Sequence, residues 1–555
     1  MKTSSWQQLR ATMAFCLLLA CSSSGMGIED SVSVPEAVIA DVGPIGPGKS
    51  DAAAEDDVAP RVHADYLIIA ADELWETAMA FADYRMTTGH TVRAIRLSDL
   101  LSSPKLPDNL MIDEIVAWVR EAYALRPDHR PLYLLLVGDA VEAGTDPAKG
   151  IPVGYWSGGW EPCFGDNVYG DMDYDHVPDL AVGRLPVADN ATGLDVLARV
   201  IEHETEYTVG PWNRRLHIYA GEGGFGEDID FFIETMAQKG LESVPYEYSM
   251  SFAYDNPGSS YFYSPFEEKV LDMVADGALL VTFMGHGGGE LDVYNLADVV
   301  PAQRQPMYAW FACSTGDYCS TWESDAEHVF KQPGGPMAIL VSTATTHPYA
   351  NAINALEIEA AIFEDRPETY GEAVRIMKWR SKYHTSDLRE MIDSFARMNM
   401  PESEMVETIN DHMYSYNLLG DPAIRIRFPM GSATVAAATS HAGEELAFTG
   451  TVDNFQDGLA TVELVCERAS IIYPLETIES PTDPANQAAL QQNWTNATNK
   501  TAASAEIAVL QGSFAGTMAI PLTTPPGNYH LTVYAWDKDE SVDAVGSVPV
   551  KVKKL

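Results

Sequence analysis

The sequence predicts an α/β chain, a layered parallel sheet with flanking helices, followed by a smaller all-β sandwich. Three observations carry this. Short continuous apolar runs end repeatedly in Gly, Asp or small polar residues, as strands buried on both faces do. Amphipathic stretches at helical spacing lie between them. After Pro429 the text changes to Ala, Thr and Val with period-two alternation, the pattern of short antiparallel strands.

In chain order, residues 1–20 read as a secretory signal. Lys2 and Arg10 form its positive region, and Ala14–Leu19 its short apolar core. That run is far below the ~20 residues a spanning helix needs. Leu18-Leu19-Ala20-Cys21 resembles a bacterial lipobox, which makes Cys21 the expected lipidated residue. Residues 21–62 lack hydrophobic periodicity and read as a disordered tether. The buried-strand runs are Tyr66–Ala70, Leu132–Val137, Leu216–Ala220, Ala278–Met284, Met307–Ala312 and Met337–Val341. Gly193–Tyr207 and Tyr370–Tyr383 are the helical stretches. Residues 63–430 are expected to form one catalytic region, with subdomains of about 63–208 and 209–430. Residues 431–555 are expected to form an immunoglobulin-like sandwich, with the Gln/Asn/Thr-rich stretch Pro481–Ala503 as a long loop.

The 555 residues carry 35 Lys and Arg against 80 Asp and Glu, a net charge of −45, of which −33 falls on residues 63–430. So acidic a surface excludes nucleic-acid binding, which needs a basic face. It also excludes electrostatic adhesion to anionic lipid, so membrane contact is expected through the lipid anchor only. Past the signal and Cys21, the cysteines are Cys163, Cys313, Cys319 and Cys466, too dispersed for a disulfide scaffold. In an oxidising compartment a Cys313–Cys319 bridge is open to the chain, but the surroundings of Cys313 point to another use.

Two strand ends stand out, Gly285-His286-Gly287-Gly288-Gly289 and Ala312-Cys313-Ser314-Thr315-Gly316-Asp317-Tyr318. Ligands of open parallel sheets bind beyond the carboxyl ends of the strands. A His and a Cys on neighbouring strand ends satisfy the requirement of thiol catalysis, an imidazole able to exchange protons with a nucleophilic sulfur. The glycines allow a substrate carbonyl to approach bare N–H groups, so the Gly287 and Cys313 amides are the oxyanion-hole candidates. His-Gly-Gly-Gly also marks an esterase oxyanion loop, but the Gly-x-Ser-x-Gly elbow those enzymes need does not follow. Zinc binding by His286 and Glu290 fails because no second His stands at ligand spacing.

With its GHG after one apolar strand and AC-x-x-GD-aromatic after the next, the chain resembles the gingipain-type cysteine peptidases, over most of residues 63–430. Supporting matches are Tyr66-Leu67-Ile68-Ile69, Leu136-Val137-Gly138-Asp139, Pro178 to Pro186 (PDLAVGRLP) and Asn417 to Pro422 (NLLGDP). The resemblance implies a caspase-like fold, Cys313 as nucleophile and His286 as its partner. It also implies acidic residues that bind a basic P1 side chain; Glu222 and Asp228 match those positions. Asp228 and Asp230 equally fit ordinary helix-start acids. Some relatives bind calcium, which makes Asp171, Asp173 and Asp175, with Asp179, the candidates for a structural ion. The same series reads as an acidic surface turn, since it lacks the Gly and distal Glu of an EF-hand. No cofactor is required. The expected function is a cell-envelope cysteine endopeptidase acting on protein or peptide substrates, secreted and anchored through Cys21. The alternatives are a transpeptidase acting on secreted proteins and a non-catalytic surface-binding lipoprotein.

Overall fold

Ten short strands make the central sheet of the computed structural model. It describes residues 63–554 except 127–129, 141–143, 158, 160–161, 207, 222, 224–233, 235–240, 288–303 and 399. The predicted signal, the tether and Cys21 therefore lie outside the described residues. The strands are β1 (Tyr66–Ala70), β2 (Val92–Arg96), β3 (Tyr133–Val137), β4 (Ala181–Leu185), β5 (Arg215–Ala220), β6 (Ser249–Tyr254), β7 (Leu280–Met284), β8 (Met307–Phe311), β9 (Ala338–Ser342) and β10 (Tyr416–Leu419). Their order across the sheet is β2-β1-β3-β4-β10-β9-β8-β7-β5-β6. Each apolar run of the sequence becomes one of these strands. In β1, β3, β8 and β9 every residue is buried, because helices cover both faces of the sheet.

The sheet is not parallel throughout. β10 pairs parallel with β4 but antiparallel with β9, Ile339 opposite Leu419 and Ser342 opposite Tyr416. The five strands from β9 to β6 thus run opposite to the other five. This reversal brings the start of β10 beside the carboxyl end of β9, the edge at which the loops after β7 and β8 also emerge.

Two of the motifs noted in the sequence prove to be buried ion pairs. Asp421 of NLLGDP accepts from Arg85 Nε at 2.7 Å and from the Tyr66 hydroxyl at 2.8 Å, and Arg85 also meets Glu204. Arg184 of PDLAVGRLP grips Asp166 with two bonds of 2.7 and 2.6 Å and donates to the carbonyls of Gly138 and Ile151. Bidentate pairing of this kind satisfies a fully buried guanidinium.

The second sheet system comprises β11 (Gly431–Ala437), β12 (Ser440–His441), β13 (Glu445–Val452), β14 (Gly458–Cys466), β15 (Thr501–Val509), β16 (Ser513–Ala519), β17 (Gly527–Asp537) and β18 (Asp543–Lys553). β11 pairs with β18 through Gly431 and Ser432, then with β13 through Ala433–Ala437, and so joins two layers. A single core that includes Phe448, Leu464, Phe514 and Val533 lies between them. The expected loop at Pro481–Ala503 is instead a helix over Gln487–Thr498 that leads into β15. It forms because Trp494 donates to the Phe252 carbonyl of β6 at 2.7 Å and Ala497 fills a cluster with Ile218, Phe252 and Tyr261. Tertiary contact overrides a polar composition here.

Four imidazoles, three buried and His347 half-buried, resist protonation. Desolvation pushes His203 and His347 down to about 4, and His217 and His412 down to about 3. An unfolded His titrates near 6.5, so below that pH the unfolded state binds more protons than the folded one. The histidine contribution is therefore intact above pH ~6.5. It is expected to fall as pH drops towards 4, each His removing up to about 1.4 kcal/mol per pH unit. Glu359, buried and pushed up to about 8, acts in the opposite sense but is outweighed. A Tm that holds constant between pH 7 and 5 would contradict this.

Candidate active site

β7 and β8 are neighbours, paired parallel from Leu280 with Met307 to Met284 with Phe311. Gly285 N–H continues the ladder, donating to the Phe311 carbonyl at 3.3 Å. Extending the same offset places His286 opposite Cys313, two positions beyond the last pair. The glycine after His286 then lies directly on the Cys313 backbone. A Cβ built at Gly287 would overlap the Cys313 carbonyl oxygen and lie 2.9 Å from its carbonyl carbon. The two loops meet there, and only a bare Cα permits it.

Cys313 is half-buried and His286 exposed, as a nucleophile and a proton carrier at a cleft edge should be. His286 Nε2 stands 3.2 Å from the Gly223 carbonyl, on the loop after β5. The backbone turns sharply after the cysteine: Ser314 adopts φ +50°, the left-handed region that costs a residue with a Cβ about 1–2 kcal/mol. That strain is held by Ser314 N–H to the Ala344 carbonyl and Gly316 N–H to the Ser342 carbonyl, both 2.9 Å, from the neighbouring β9 end. Tyr318 anchors the far side, its hydroxyl donating at 3.0 Å to the Asp166 carboxylate that Arg184 holds.

The loop after β9 completes the sulfur's surroundings. Thr346 N–H donates to Cys313 Sγ at 3.4 Å, and the Thr346 hydroxyl lies 3.6 Å from it. Sequence reasoning saw this segment only as the small polar end of a strand. The signal was there, since a strand beside β8 must deliver its loop next to Cys313. No disulfide forms among the described residues: Cys313 and Cys319 are both thiols. Burial pushes the Cys319 thiol well up.

The expected substrate acids, Glu222 and Asp228, lie outside the described residues, as does Asp230. Of the calcium candidates, the acids that converge are Asp171, Asp173 and Asp179, with ligand atoms within 4.8 Å of one another. Asp175 does not join that set as expected. Its carboxylate accepts from the Tyr383 hydroxyl at 2.6 Å and from Val177 N–H at 2.8 Å. Tyr174 and His176, on either side of Asp175, both adopt positive φ.

Comparison with known proteins identifies the family and the fold. The model of peptidase family C25 matches residues 59–427. Among solved structures, the Arg-specific cysteine proteinase gingipain R aligns at 18% identity with a TM-score of 0.52, covering 90% of this chain and all of that one. The complex of the pro- and mature domains of RgpB from Porphyromonas gingivalis aligns at 17% identity with a TM-score of 0.50, covering 88% of this chain and all of that one. A structure titled only as a protease aligns at 13% identity with a TM-score of 0.51, covering 87% and 97%. No curated protein matches the chain.

Proposed function

Because the chain belongs to peptidase family C25, and is a cysteine-type peptidase acting on protein or peptide substrates, we propose that Cys313 and His286 form its catalytic dyad. One observation carries the assignment: two adjacent parallel strands deliver the His and the Cys at the same register, with Gly287 seated on the Cys313 carbonyl. The Cys313 thiolate attacks the peptide carbonyl carbon and the C=O π pair moves onto oxygen. The Gly287 and Cys313 N–H groups hold that oxyanion. A carbonyl only accepts, so the bond to Gly223 puts a proton on His286 Nε2, and the imidazole exchanges protons with the sulfur and the leaving amine. The imidazolium protonates the departing amine, and water then cleaves the thioester.

The proposed preference is for Arg or Lys at P1. A carboxylate is the natural partner of a guanidinium; Glu222 and Asp228 are the proposed partners. The charge of −33 on residues 63–430 favours basic substrates in the same sense. The proposal extends to secretion and anchoring through a lipid on Cys21. Among the described residues, no helix is long and apolar enough to cross a membrane. A bound ion at Asp171, Asp173 and Asp179 would be structural, with no part in the chemistry.

A panel of fluorogenic peptides differing only at P1 tests the reading. Arg and Lys substrates are expected to exceed Glu and Ala by 100-fold or more in kcat/KM, with the advantage shrinking as salt rises. Equal rates across the panel, or a Glu preference, would sink the basic-P1 proposal. Ligation to an added amine in place of hydrolysis would identify a transpeptidase instead.

A further inference from the structure

We propose that Thr346, held by Asn351 and Tyr416, is a positioning residue that keeps the Cys313 sulfur as an anchored thiolate. This rests on Cys313 as the nucleophile and adds a second support for its charge beyond His286.

The geometry suits a sulfur that accepts. Thr346 N–H points at Sγ from 3.4 Å. The Thr346 hydroxyl oxygen receives the Asn351 amide at 2.8 Å, so its own proton is turned elsewhere, and Sγ, 3.6 Å away, lies within its reach as an acceptor. Asn351 is fixed in that orientation because its carbonyl oxygen takes the Tyr416 hydroxyl at 2.7 Å. All three residues are buried, with exposures of 5% for Thr346, 7% for Asn351 and 0% for Tyr416, so solvent does not compete for these bonds. The loop cannot drift either. Thr343 N–H donates to the Ser415 carbonyl at 2.9 Å, and His347 N–H to His412 Nε2 at 3.0 Å. The His412 ring is itself set by Nδ1–H to the Thr408 carbonyl at 2.7 Å.

The need for such donors follows from the charge. A strongly negative body opposes thiol ionisation, and hydrogen bonds to the charged form counter it locally. A thiol could also rest here by donating to the Thr346 carbonyl at 3.8 Å. The two donors at shorter range favour the ionised sulfur over it.

The test is the pH dependence of iodoacetamide alkylation at Cys313 in the full chain, followed by peptide mass mapping. Cys163, Cys319 and Cys466 are buried and report little. In Thr346→Val the alkylation midpoint is expected to rise by about one pH unit. The kcat/KM at pH 7 should fall roughly tenfold, and Thr346→Ser should restore both. Asn351→Ala should move the midpoint the same way by a smaller step. An unchanged midpoint in a folded Thr346→Val overturns the proposal. If that variant does not fold, an unchanged midpoint in Asn351→Ala overturns it instead. Cys313→Ala is run alongside: peptidase activity surviving there would refute the nucleophile itself, a separate failure from that of the relay.

Discussion

Replacing Cys313 by alanine is expected to remove peptide hydrolysis by about 10⁴-fold or more while leaving the thermal transition in place. The first half follows from covalent chemistry. Without a sulfur there is no thioester, and oriented amides alone supply only the residual rate enhancement of an oxyanion site. The second half follows from packing. Among the described residues the hydrogen bonds of Sγ all go to Thr346, and the strained turn after it is held by backbone bonds from Ser314 and Gly316 that the substitution does not touch. Cys313→Ala therefore separates catalysis from folding. Rates measured on a basic-P1 peptide, with melting curves on the same samples, decide the matter. Activity within tenfold of the parent would reject Cys313 as nucleophile, and Cys319, buried with its thiol pKa raised, is poorly placed to replace it.

The sheet was legible because its strands are buried on both faces, which leaves a continuous apolar signature in β1, β3, β7, β8 and β9. β2 was not, because as an edge strand it is only half-buried, and Arg93 and Arg96 break the apolar run. β10 has four residues and no turn signal before it, since a helix runs directly into it. Its antiparallel pairing with β9 is a long-range choice no local pattern encodes. The helix at Gln487–Thr498 was hidden for a related reason: only Leu490 and Ala497 are buried, too few for a stripe. The site divides the same way. Cys313 and His286 could be read because reactive residue types stood at strand ends beside glycine. Thr346, Asn351 and Tyr416 could not, since a hydroxyl, an amide and a phenol gain their role only when the segment after β9 and the start of β10 converge beside one sulfur. Arg85 and Asp421 make the same point for stability, being 336 positions apart and in contact.

Gly287→Ala should disable catalysis with the addition of a single methyl group. The position does not lie in the left-handed region, so its need for glycine is steric and not conformational. The added carbon would overlap the Cys313 carbonyl oxygen, a backbone atom fixed by the β8 register and by the Ser314 and Gly316 bonds. Neither side chain nor rotamer can relieve the overlap, so the β7 loop must withdraw from the β8 loop. Withdrawal carries the Gly287 amide and His286 away from the sulfur together. Loss of one oxyanion donor alone costs about 10²–10³ in kcat, and displaced proton transfer adds to it, so a fall of roughly 10³-fold is expected. The loss should appear in kcat with KM little changed, because the oxyanion exists only along the reaction path. The thermal transition should move little, since Gly287 is only half-buried and the strands beneath it are untouched. A variant that keeps parental kcat would mean the two loops are not joined at this contact, and the oxyanion assignment to Gly287 would fall with it.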